Sequence, residues 1–307
     1  MVKTWSTPVA AEEKQIIPCN LCGGQNFKTH LSCEGFSYVR CVDCDLVQMN
    51  PQPLWGEVKK RYGNDYLAYE LANEESFLNL QVLALEDAGF SELERELMPK
   101  GAHKSENFAA NSRKILQVRQ APRVLDIGCA TASLLARLRG RGWECAGVEI
   151  SGPQAEYGRL KRGLDVRDLP LEENHFPEGS FDAALASHLI EHLNDPAGLV
   201  REVRRILAPG GRFFVSTPNI DGFQARLFGS SWRSAIFDHL YLFSAKTLSA
   251  LLRENGFAIE KTATWGGLAK GIAPAPLKRL FDKAAKRLGF GDVMIIRGRK
   301  FDREILQ

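Results

Sequence analysis

The sequence has little net charge and no long apolar run, and both absences narrow what the protein can do. Its 40 Lys and Arg residues stand against 37 Asp and Glu residues, which leaves a formal net charge of +3 over 307 residues. A chain that binds nucleic acid mainly through phosphates usually carries a larger basic excess, so this class of function is disfavoured. No apolar run approaches the roughly 18 residues typical of a membrane span, and residues 1–11 contain no apolar signal segment. These absences predict a cytoplasmic protein, and its length suggests roughly two domains of about 150 residues each.

The seven cysteines of a cytoplasmic chain are expected to be thiols or metal ligands rather than disulfides. Four of them form two C-x2-C pairs with eighteen residues between the pairs: Cys19, Cys22, Cys41 and Cys44. This spacing is typical of zinc sites, and four thiolates complete a tetrahedron, so the ion would be structural Zn²⁺. We therefore predict a zinc-ribbon module over residues 1–53. Free thiols or a redox pair are the alternatives.

Residues 54–121 are predicted to form a helical linker or lid. Leu78, Val82 and Leu85 give an apolar stripe at helical spacing, which indicates packing against a core. Three tyrosines precede this stripe: Tyr62, Tyr66 and Tyr69. They either pack in the same way or line a substrate pocket beneath the lid, and the sequence leaves both alternatives open.

The rest of the chain is organised around Arg123–Leu135. A short apolar strand here runs into small residues and then into an apolar helical pattern. Small residues let backbone N–H groups approach a ligand closely. Strand and helix patterns then alternate along residues 122–307, which predicts an α/β fold with a doubly wound, parallel sheet. Such sheets bind ligands at the carboxyl ends of their strands, near the switch in strand order.

Three acidic residues fall at that edge of the predicted sheet. Asp126 lies at the end of the first strand, Glu149 follows the second and Asp168 follows the third. An acid after the second strand can accept hydrogen bonds from ribose hydroxyls, as it does in NAD enzymes. However, the turn does not read G-x-G-x-x-G, and Asp126 would repel a pyrophosphate. An acid at the end of the first strand together with an acid after the second strand instead suits a ligand that carries a cationic amine.

These features resemble the class I S-adenosylmethionine-dependent methyltransferases over about residues 121–299. Val124–Leu135 is similar to the family's first motif, and later motifs are matched by Phe181-Asp182-Ala183, Glu191–Pro196, Leu207–Gly211 and Leu240–Ser244. The N-terminal ribbon resembles a module of members that act in sugar, cell-surface-glycan and natural-product pathways. The resemblance implies a Rossmann-like sheet of seven strands, mostly parallel.

The resemblance also implies which residues bind S-adenosylmethionine. The turn after the first strand would hold the methionine end, the acid after the second strand the ribose hydroxyls, and the residues after the third strand the adenine. The implied cofactor-binding residues are Asp126, Gly128, Ala130, Glu149, Asp168, Leu169 and Ser187. The chain departs from the usual pattern at Ala130 and Ala132, where glycine is common.

His188–His192 follows the fourth strand and carries the candidate catalytic residues. Methyl transfer to oxygen or carbon needs a base, and a histidine can accept a proton near neutral pH. We predict His192 as the general base, with His188 as the alternative and Glu191 as the supporting acid. The segment also spells H-x-x-E-H, a zinc-peptidase pattern. That function is disfavoured because the pattern requires a helix, whereas this segment begins at a strand end.

An aromatic insertion at about residues 219–243 is expected to cap the acceptor pocket. The candidate substrate-binding residues, with Tyr62 and Tyr66, are Trp232, Arg233 and His239, and packing of the aromatic side chains is the alternative. The sequence thus predicts methyl transfer to a sugar or other small hydroxylated metabolite, with O-methylation favoured over C-methylation. The alternatives are an RNA methyltransferase that binds nucleic acid through its ribbon, and a partner-binding protein that retains the fold without activity.

Overall fold

The structure is a computed structural model that describes residues 13–54, 64–98, 121–267 and 274–301. The strands in these ranges are β1 (Lys14–Gln15), β2 (Phe27–Cys33), β3 (Phe36–Cys41), β4 (Val47–Met49), β5 (Gln52–Pro53), β6 (Arg123–Ile127), β7 (Glu144–Val148), β8 (Asp165–Arg167), β9 (Phe181–Ser187), β10 (Leu207–Pro218), β11 (Tyr241–Leu242), β12 (Phe257–Trp265) and β13 (Val293–Lys300). The α-helices are α1 (Asn64–Asp87), α2 (Phe90–Leu97), α3 (Ser133–Arg139), α4 (Gly152–Arg162), α5 (Pro196–Ile206), α6 (Phe223–Phe228), α7 (Ala245–Glu254) and α8 (Ala275–Leu288).

The central sheet has seven strands in the order β12-β13-β10-β9-β6-β7-β8. Neighbouring strands from β10 to β8 run parallel, and β13 runs antiparallel to both β10 and β12. The predicted seven-stranded, mostly parallel α/β sheet is therefore confirmed. After β6 the chain adds β7 on one side of that strand, and it later adds β9 on the other side of β6. The switch in strand order thus lies between β6 and β9, where ligands of such sheets bind.

Two helices that follow the switch begin at the polar residues that the sequence indicates. The Asp195 carboxylate accepts a hydrogen bond from the Gly198 N–H at 2.8 Å, which satisfies one of the backbone N–H groups in the first turn of α5. Ser244 and Thr247 bond reciprocally to each other's backbone N–H at the start of α7. β10 begins at Leu207 and pairs with β9 across a register shift between Leu207 and Arg212.

Helices α1 and α2 pack against one side of the sheet. Leu85 of α1 and Leu93 of α2 are buried in the same cluster as Leu134 and Leu135 of α3, so the predicted packing of the apolar stripe is confirmed. The Phe90 ring lies 5.3 Å from the rings of both Trp143 and Phe214. None of the helices within the described ranges is long and apolar enough to cross a membrane.

The N-terminal module is joined to the core by backbone pairing. Strands β2, β3 and β4 form an antiparallel sheet whose fourth strand is β11, from the insertion after β10. The Tyr38 hydroxyl, which is fully buried, donates to the carbonyls of Ile236 and His239 at 2.7 and 2.8 Å. Residues 219–243, named here the cap segment, therefore share a sheet with the ribbon, which the sequence did not predict.

Candidate active site

The turn after β6 has an unusual backbone. Gly128, Ala130 and Ala132 all have left-handed φ values, of 73°, 48° and 60°. The turn is held against β7, because the N–H groups of Gly128 and Cys129 both donate to the Val148 carbonyl. A non-glycine residue in this region is strained by about 1 kcal/mol or more. The two alanines therefore occupy positions where glycine would be less strained.

Two buried carboxylates lie beneath this turn. The Glu149 carboxylate accepts the backbone N–H groups of Ala130 at 3.0 Å and Ser151 at 2.8 Å. Burial, and next the nearby charge of Glu149, raises the pKa of Asp126 to about 8. Burial also raises the pKa of Glu149 to about 7, against the lowering effect of its two backbone hydrogen bonds. A cationic ligand with hydroxyl donors would stabilise both carboxylates in their charged form.

Unpaired polar atoms next to Glu149 fit a polar ligand. Among the described residues, the Ser151 hydroxyl and the Gln154 side-chain amide are buried without a hydrogen-bond partner. Such atoms are rare in folded proteins unless a ligand or water satisfies them. Together with the acid pair, they agree with the donor and acceptor set of S-adenosylmethionine. The sequence analysis missed both residues, because their positions in and just before α4 carry no motif.

The residues predicted to lie beside adenine are at the rim of this site. Asp168 follows β8, and its half-exposed carboxylate lies 3.3 Å from the Arg159 guanidinium. The Leu169 side chain beside it is also about half exposed. An exposed apolar side chain next to the acid pair is available to contact a flat ring.

Helix α1 covers the turn. The Glu74 carboxylate accepts hydrogen bonds from the Thr131 hydroxyl and the Arg162 guanidinium, both at 2.5 Å, and Arg162 also donates to the Thr131 carbonyl at 2.7 Å. The charge of Glu70, one turn earlier, raises the pKa of Glu149. These contacts hold α1 against the turn that covers the acid pair. Tyr62 and the side chain of Tyr66 lie outside the described residues.

β9 ends at Ser187, and the predicted base segment, His188–His192, follows it directly. The Ser187 and Ser216 hydroxyls are 3.0 Å apart, and both line a small cavity between α1, α3 and the sheet. His188 has a left-handed φ of 51°, and its N–H donates to the Ser216 carbonyl. This backbone turns the His188 side chain outward, where 48% of it is exposed.

Glu191 is the centre of a histidine cluster. Its carboxylate is fully buried, and one oxygen lies 3.3 Å from His188 Nδ1. Burial favours a raised pKa for Glu191, but the contact with His188 and the charges of His192 and His239 outweigh it and lower the pKa to about 2. The rings of His192 and His239 meet edge to face, with centroids 4.7 Å apart. The structure thus brings together both predicted bases, the predicted supporting acid and a cap residue.

The three cap residues predicted to bind substrate, Trp232, Arg233 and His239, differ in their burial and in their contacts. The Trp232 ring is 2% exposed, and its N–H donates to the Asp292 carboxylate at 2.6 Å. Arg233 pairs with the same carboxylate, at 2.6 Å, but 61% of its side chain is exposed. The buried ring and occupied N–H of Trp232 indicate packing rather than contact with a substrate. His239 is buried beside Glu191 and His192.

The four predicted zinc ligands converge at the start of the ribbon. Cys19 Sγ lies 3.4 Å from Cys44 Sγ, and Cys22 Sγ lies 3.5 Å from Cys41 Sγ; all four sulfur atoms are within 4.8 Å of one another. Sulfur atoms around a tetrahedral zinc with bonds of about 2.3 Å are about 3.8 Å apart. The cluster therefore fits a zinc ion without rearrangement of the backbone. Cys33 lies outside it.

A family model for the methyltransferase domain matches residues 93–262, which is more than half of the chain. The ubiquinone biosynthesis O-methyltransferase of Acinetobacter baumannii is 30% identical over 104 residues, which are 32% of this chain and 44% of that protein. The protein of the same name from Xanthomonas oryzae pv. oryzae is 32% identical over 108 residues, 32% of this chain and 43% of that protein. The chain thus matches less than half the length of these curated relatives.

A similar solved structure is a SAM-dependent methyltransferase from Thermotoga maritima, described as a possible histamine N-methyltransferase. It has a TM-score of 0.53 and 23% identity, and the match covers 80% of this chain and 98% of that one. This likeness concerns the fold alone. With the family match and the observed strand order, the chain belongs to the class I S-adenosylmethionine-dependent methyltransferase domain family.

Proposed function

We propose that the protein transfers the methyl group of S-adenosylmethionine to a hydroxyl oxygen of a sugar or another small hydroxylated metabolite. The cofactor supplies a methyl group on a positively charged sulfonium. The observation that carries this proposal is the buried pair of Asp126 and Glu149 beneath the turn after β6. Their raised pKa values mean that a ligand with a cationic amine and two hydroxyl donors would bind there with a large electrostatic gain.

Each residue of the pair has its own role in this proposal. Asp126 binds the amine of the cofactor, and Glu149 accepts hydrogen bonds from its ribose hydroxyls while two backbone N–H groups hold the carboxylate in place. The unpaired Ser151 hydroxyl and Gln154 amide, beside Glu149, bind the remaining polar groups of the nucleoside. The turn that contains Gly128 and Ala130 holds the methionine end, and Asp168 and Leu169 lie beside the adenine.

We favour His188 over His192 as the general base. Nearly half of the His188 side chain is exposed, and one oxygen of the Glu191 carboxylate lies 3.3 Å from its Nδ1. A buried carboxylate in this position holds the imidazole in one orientation and stabilises its protonated form. His192 instead directs Nδ1 to the Asp238 carbonyl at 2.9 Å and packs against His239. His188 therefore combines access to an acceptor with an orienting acid, and Ser187 lies next to it.

Two observations guide the choice of acceptor. The curated relatives are named O-methyltransferases, which favours an oxygen acceptor over carbon. The ribbon and the cap segment share one sheet, which supports a role of the N-terminal module in shaping the acceptor pocket. Resemblance of this module to that of sugar-modifying members supports a sugar. The names of the curated relatives make an aromatic hydroxyl the main competitor.

Binding and turnover test the two halves of this proposal separately. Isothermal titration of the full chain with S-adenosylmethionine should show one site, which Asp126→Asn weakens strongly and Asp165→Asn, at an exposed aspartate outside the site, does not. Formation of S-adenosylhomocysteine is then measured with sugar nucleotides, free sugars and catechols. Binding without turnover on any hydroxylated acceptor would reject the acceptor class, and no binding by the folded protein would reject the cofactor site.

The base is tested by its pH dependence. His188→Gln should lower kcat by about 100-fold, because general-base catalysis contributes on this order. The residual rate should rise with pH as the acceptor ionises by itself. His192→Gln should retain most of the activity at saturating acceptor. A reversed pattern would assign the base to His192.

We also propose that Cys19, Cys22, Cys41 and Cys44 hold a structural zinc ion. Burial raises the pKa of Cys19 to about 11, so a cation is needed for this thiol to be ionised at neutral pH. Four ligands leave no open coordination position, and the cluster lies at the edge of the sheet that includes β11. The ion therefore stabilises the ribbon and, through it, the cap segment.

A further inference from the structure

A second group of potential metal ligands lies at the base segment, well apart in sequence from the cysteines. Ligand atoms of Glu191, His192 and His239 all lie within 4.8 Å of one another. Glu191 and His192 belong to a single 3-10 turn after β9, and His239 comes from the cap segment. The H-x-x-E-H pattern is thus not a helical zinc motif, because His188 and His192 do not share a helix. The fold instead supplies a different second histidine.

Among the described residues, Nδ1 is the nitrogen that each of the two histidines uses in a hydrogen bond, which leaves Nε2 as the candidate metal ligand. His192 Nδ1 lies 2.9 Å from the Asp238 carbonyl, and His239 Nδ1 lies 2.8 Å from the Ser234 carbonyl. A carbonyl accepts only from a protonated nitrogen, so each ring carries a proton on Nδ1 and a metal ion would bind at Nε2. Hydrogen bonds of this type to the second nitrogen are a regular feature of metal-bound histidines, because they fix the tautomer and the ring orientation.

The carboxylate of Glu191 also lacks the partners that burial normally requires. It is 0% exposed, and among the described residues neither of its oxygens makes a hydrogen bond of normal geometry. His188 Nδ1 lies 3.3 Å from one oxygen. A buried carboxylate without full compensation is costly, and buried charges are normally paired or bound to a metal. The second oxygen is therefore available as a ligand.

Contacts from other elements hold the three ligands in position. The Leu240 N–H donates to the Glu191 carbonyl at 2.7 Å, which ties the cap segment to the 3-10 turn. Tyr38 of the ribbon donates to the His239 carbonyl at 2.8 Å. Ligands of a metal with bonds of about 2.1 Å are about 3.4 Å apart. The three ligand atoms lie within 4.8 Å of one another, so binding of an ion requires these separations to shrink by at most about 1.4 Å.

We propose that Glu191, His192 and His239 form a second metal site, which binds a divalent transition-metal ion such as Zn²⁺. Two imidazoles and one carboxylate are a ligand set that such ions prefer over Mg²⁺ or Ca²⁺. Three protein ligands leave a coordination position open, unlike the closed cysteine site. His188 remains outside the ligand set and contacts the Glu191 oxygen that does not face the ion.

The test is the metal content of the full chain, which is measured independently of methyl transfer. The protein is stripped with a chelator, dialysed against Zn²⁺ and analysed by mass spectrometry of the metal. Wild type should hold two zinc ions per chain, and Glu191→Gln should hold one. His175→Gln, at an exposed histidine outside the cluster, is the matched control and should hold two. Two ions in Glu191→Gln, or one in wild type, would overturn the proposal.

Cobalt distinguishes the two sites. Co²⁺ bound to four thiolates gives a strong sulfur-to-metal charge-transfer band, whereas a site of two histidines and a glutamate gives weak ligand-field bands alone. Cys22→Ser should diminish the first signal and retain the second, and His192→Gln should do the reverse. If Glu191→Gln fails to fold, as judged by its melting curve, His192→Gln carries the same test because this side chain is only partly buried. Retention of both signals in His192→Gln would also contradict the proposal.

Discussion

Asp126→Asn is expected to stabilise the cofactor-free protein at high pH while it abolishes tight cofactor binding. Burial, and next the charge of Glu149, raises the pKa of Asp126 from 3.8 to about 8. A carboxyl whose pKa is raised on folding binds its proton more tightly in the folded state. Its contribution to stability is therefore complete below pH 3.8 and is lost as the pH rises towards 8. Asparagine has no carboxyl proton to lose, so the variant does not lose this contribution to stability as the pH rises.

The magnitude follows from the size of the shift. Each pKa unit corresponds to about 1.36 kcal/mol, and integration between pH 5 and pH 9 gives a loss of about 4 kcal/mol for an isolated carboxyl. This is an upper figure, because Asp126 and Glu149 repel each other and share the penalty. For S-adenosylmethionine, loss of a charged hydrogen bond worth about 1.5–3 kcal/mol raises Kd by about 10- to 100-fold.

Urea unfolding at pH 5, 7 and 9 without cofactor measures the first effect, and isothermal titration measures the second. The free energy of unfolding of Asp126→Asn minus that of wild type should increase steadily with pH. Asp165→Asn is the control, since its carboxylate is exposed and pairs with Arg167 at 3.6 Å; its difference should stay within about 0.5 kcal/mol at every pH. A flat difference for Asp126→Asn, or unchanged cofactor affinity, would refute the reasoning.

Three further outcomes are expected. Cys22→Ser should lose the zinc ion proposed for the ribbon, and its melting temperature should fall by several degrees. A chelator should lower the melting temperature of wild type more than that of the variant, and equal shifts would contradict the reasoning. Glu74→Gln removes the charged acceptor of Thr131 and Arg162, so stopped-flow release of S-adenosylmethionine should accelerate several-fold with little change in melting temperature; unchanged release would show that α1 does not act as a lid. Ala130→Gly should stabilise the protein by up to about 1 kcal/mol because it relieves a left-handed φ, whereas Ala132→Gly should not, since it also removes a fully buried methyl group; chemical unfolding compares the two, and an equal effect would contradict this account.

Many features of the fold were predictable because they depend on short stretches of sequence. The start of α5 at Asp195 and of α7 at Ser244 follows from side chains that bond to N–H groups three residues away. The sheet order follows from the alternation of strand and helix patterns together with the family resemblance. The central strands β6 and β9 each carry an apolar run of their own, so the local sequence decides that they form.

The candidate site was predictable only where its residues lie at strand ends. Asp126 and Glu149 meet because parallel strands bring their carboxyl ends to one edge, and this holds for any sequence with that fold. Glu74, Ser151 and Gln154 were missed because nothing in a helical pattern marks which side chain will face a turn on another element. Trp232, chosen as an aromatic residue in a cap, has its N–H bonded to Asp292, which is sixty residues away.

The sequence by itself determined the two cysteine pairs of the ribbon, the strand–turn–helix unit and the acids at the strand ends, because spacing along the chain fixes each of them. Only the tertiary structure decided that β11 completes the ribbon sheet, that α1 lies over the turn, and that His239 joins Glu191 and His192. These are contacts between distant segments, and they depend on which surfaces remain to be buried once the local elements have formed. The chemistry at the base segment is therefore a property of the assembled fold.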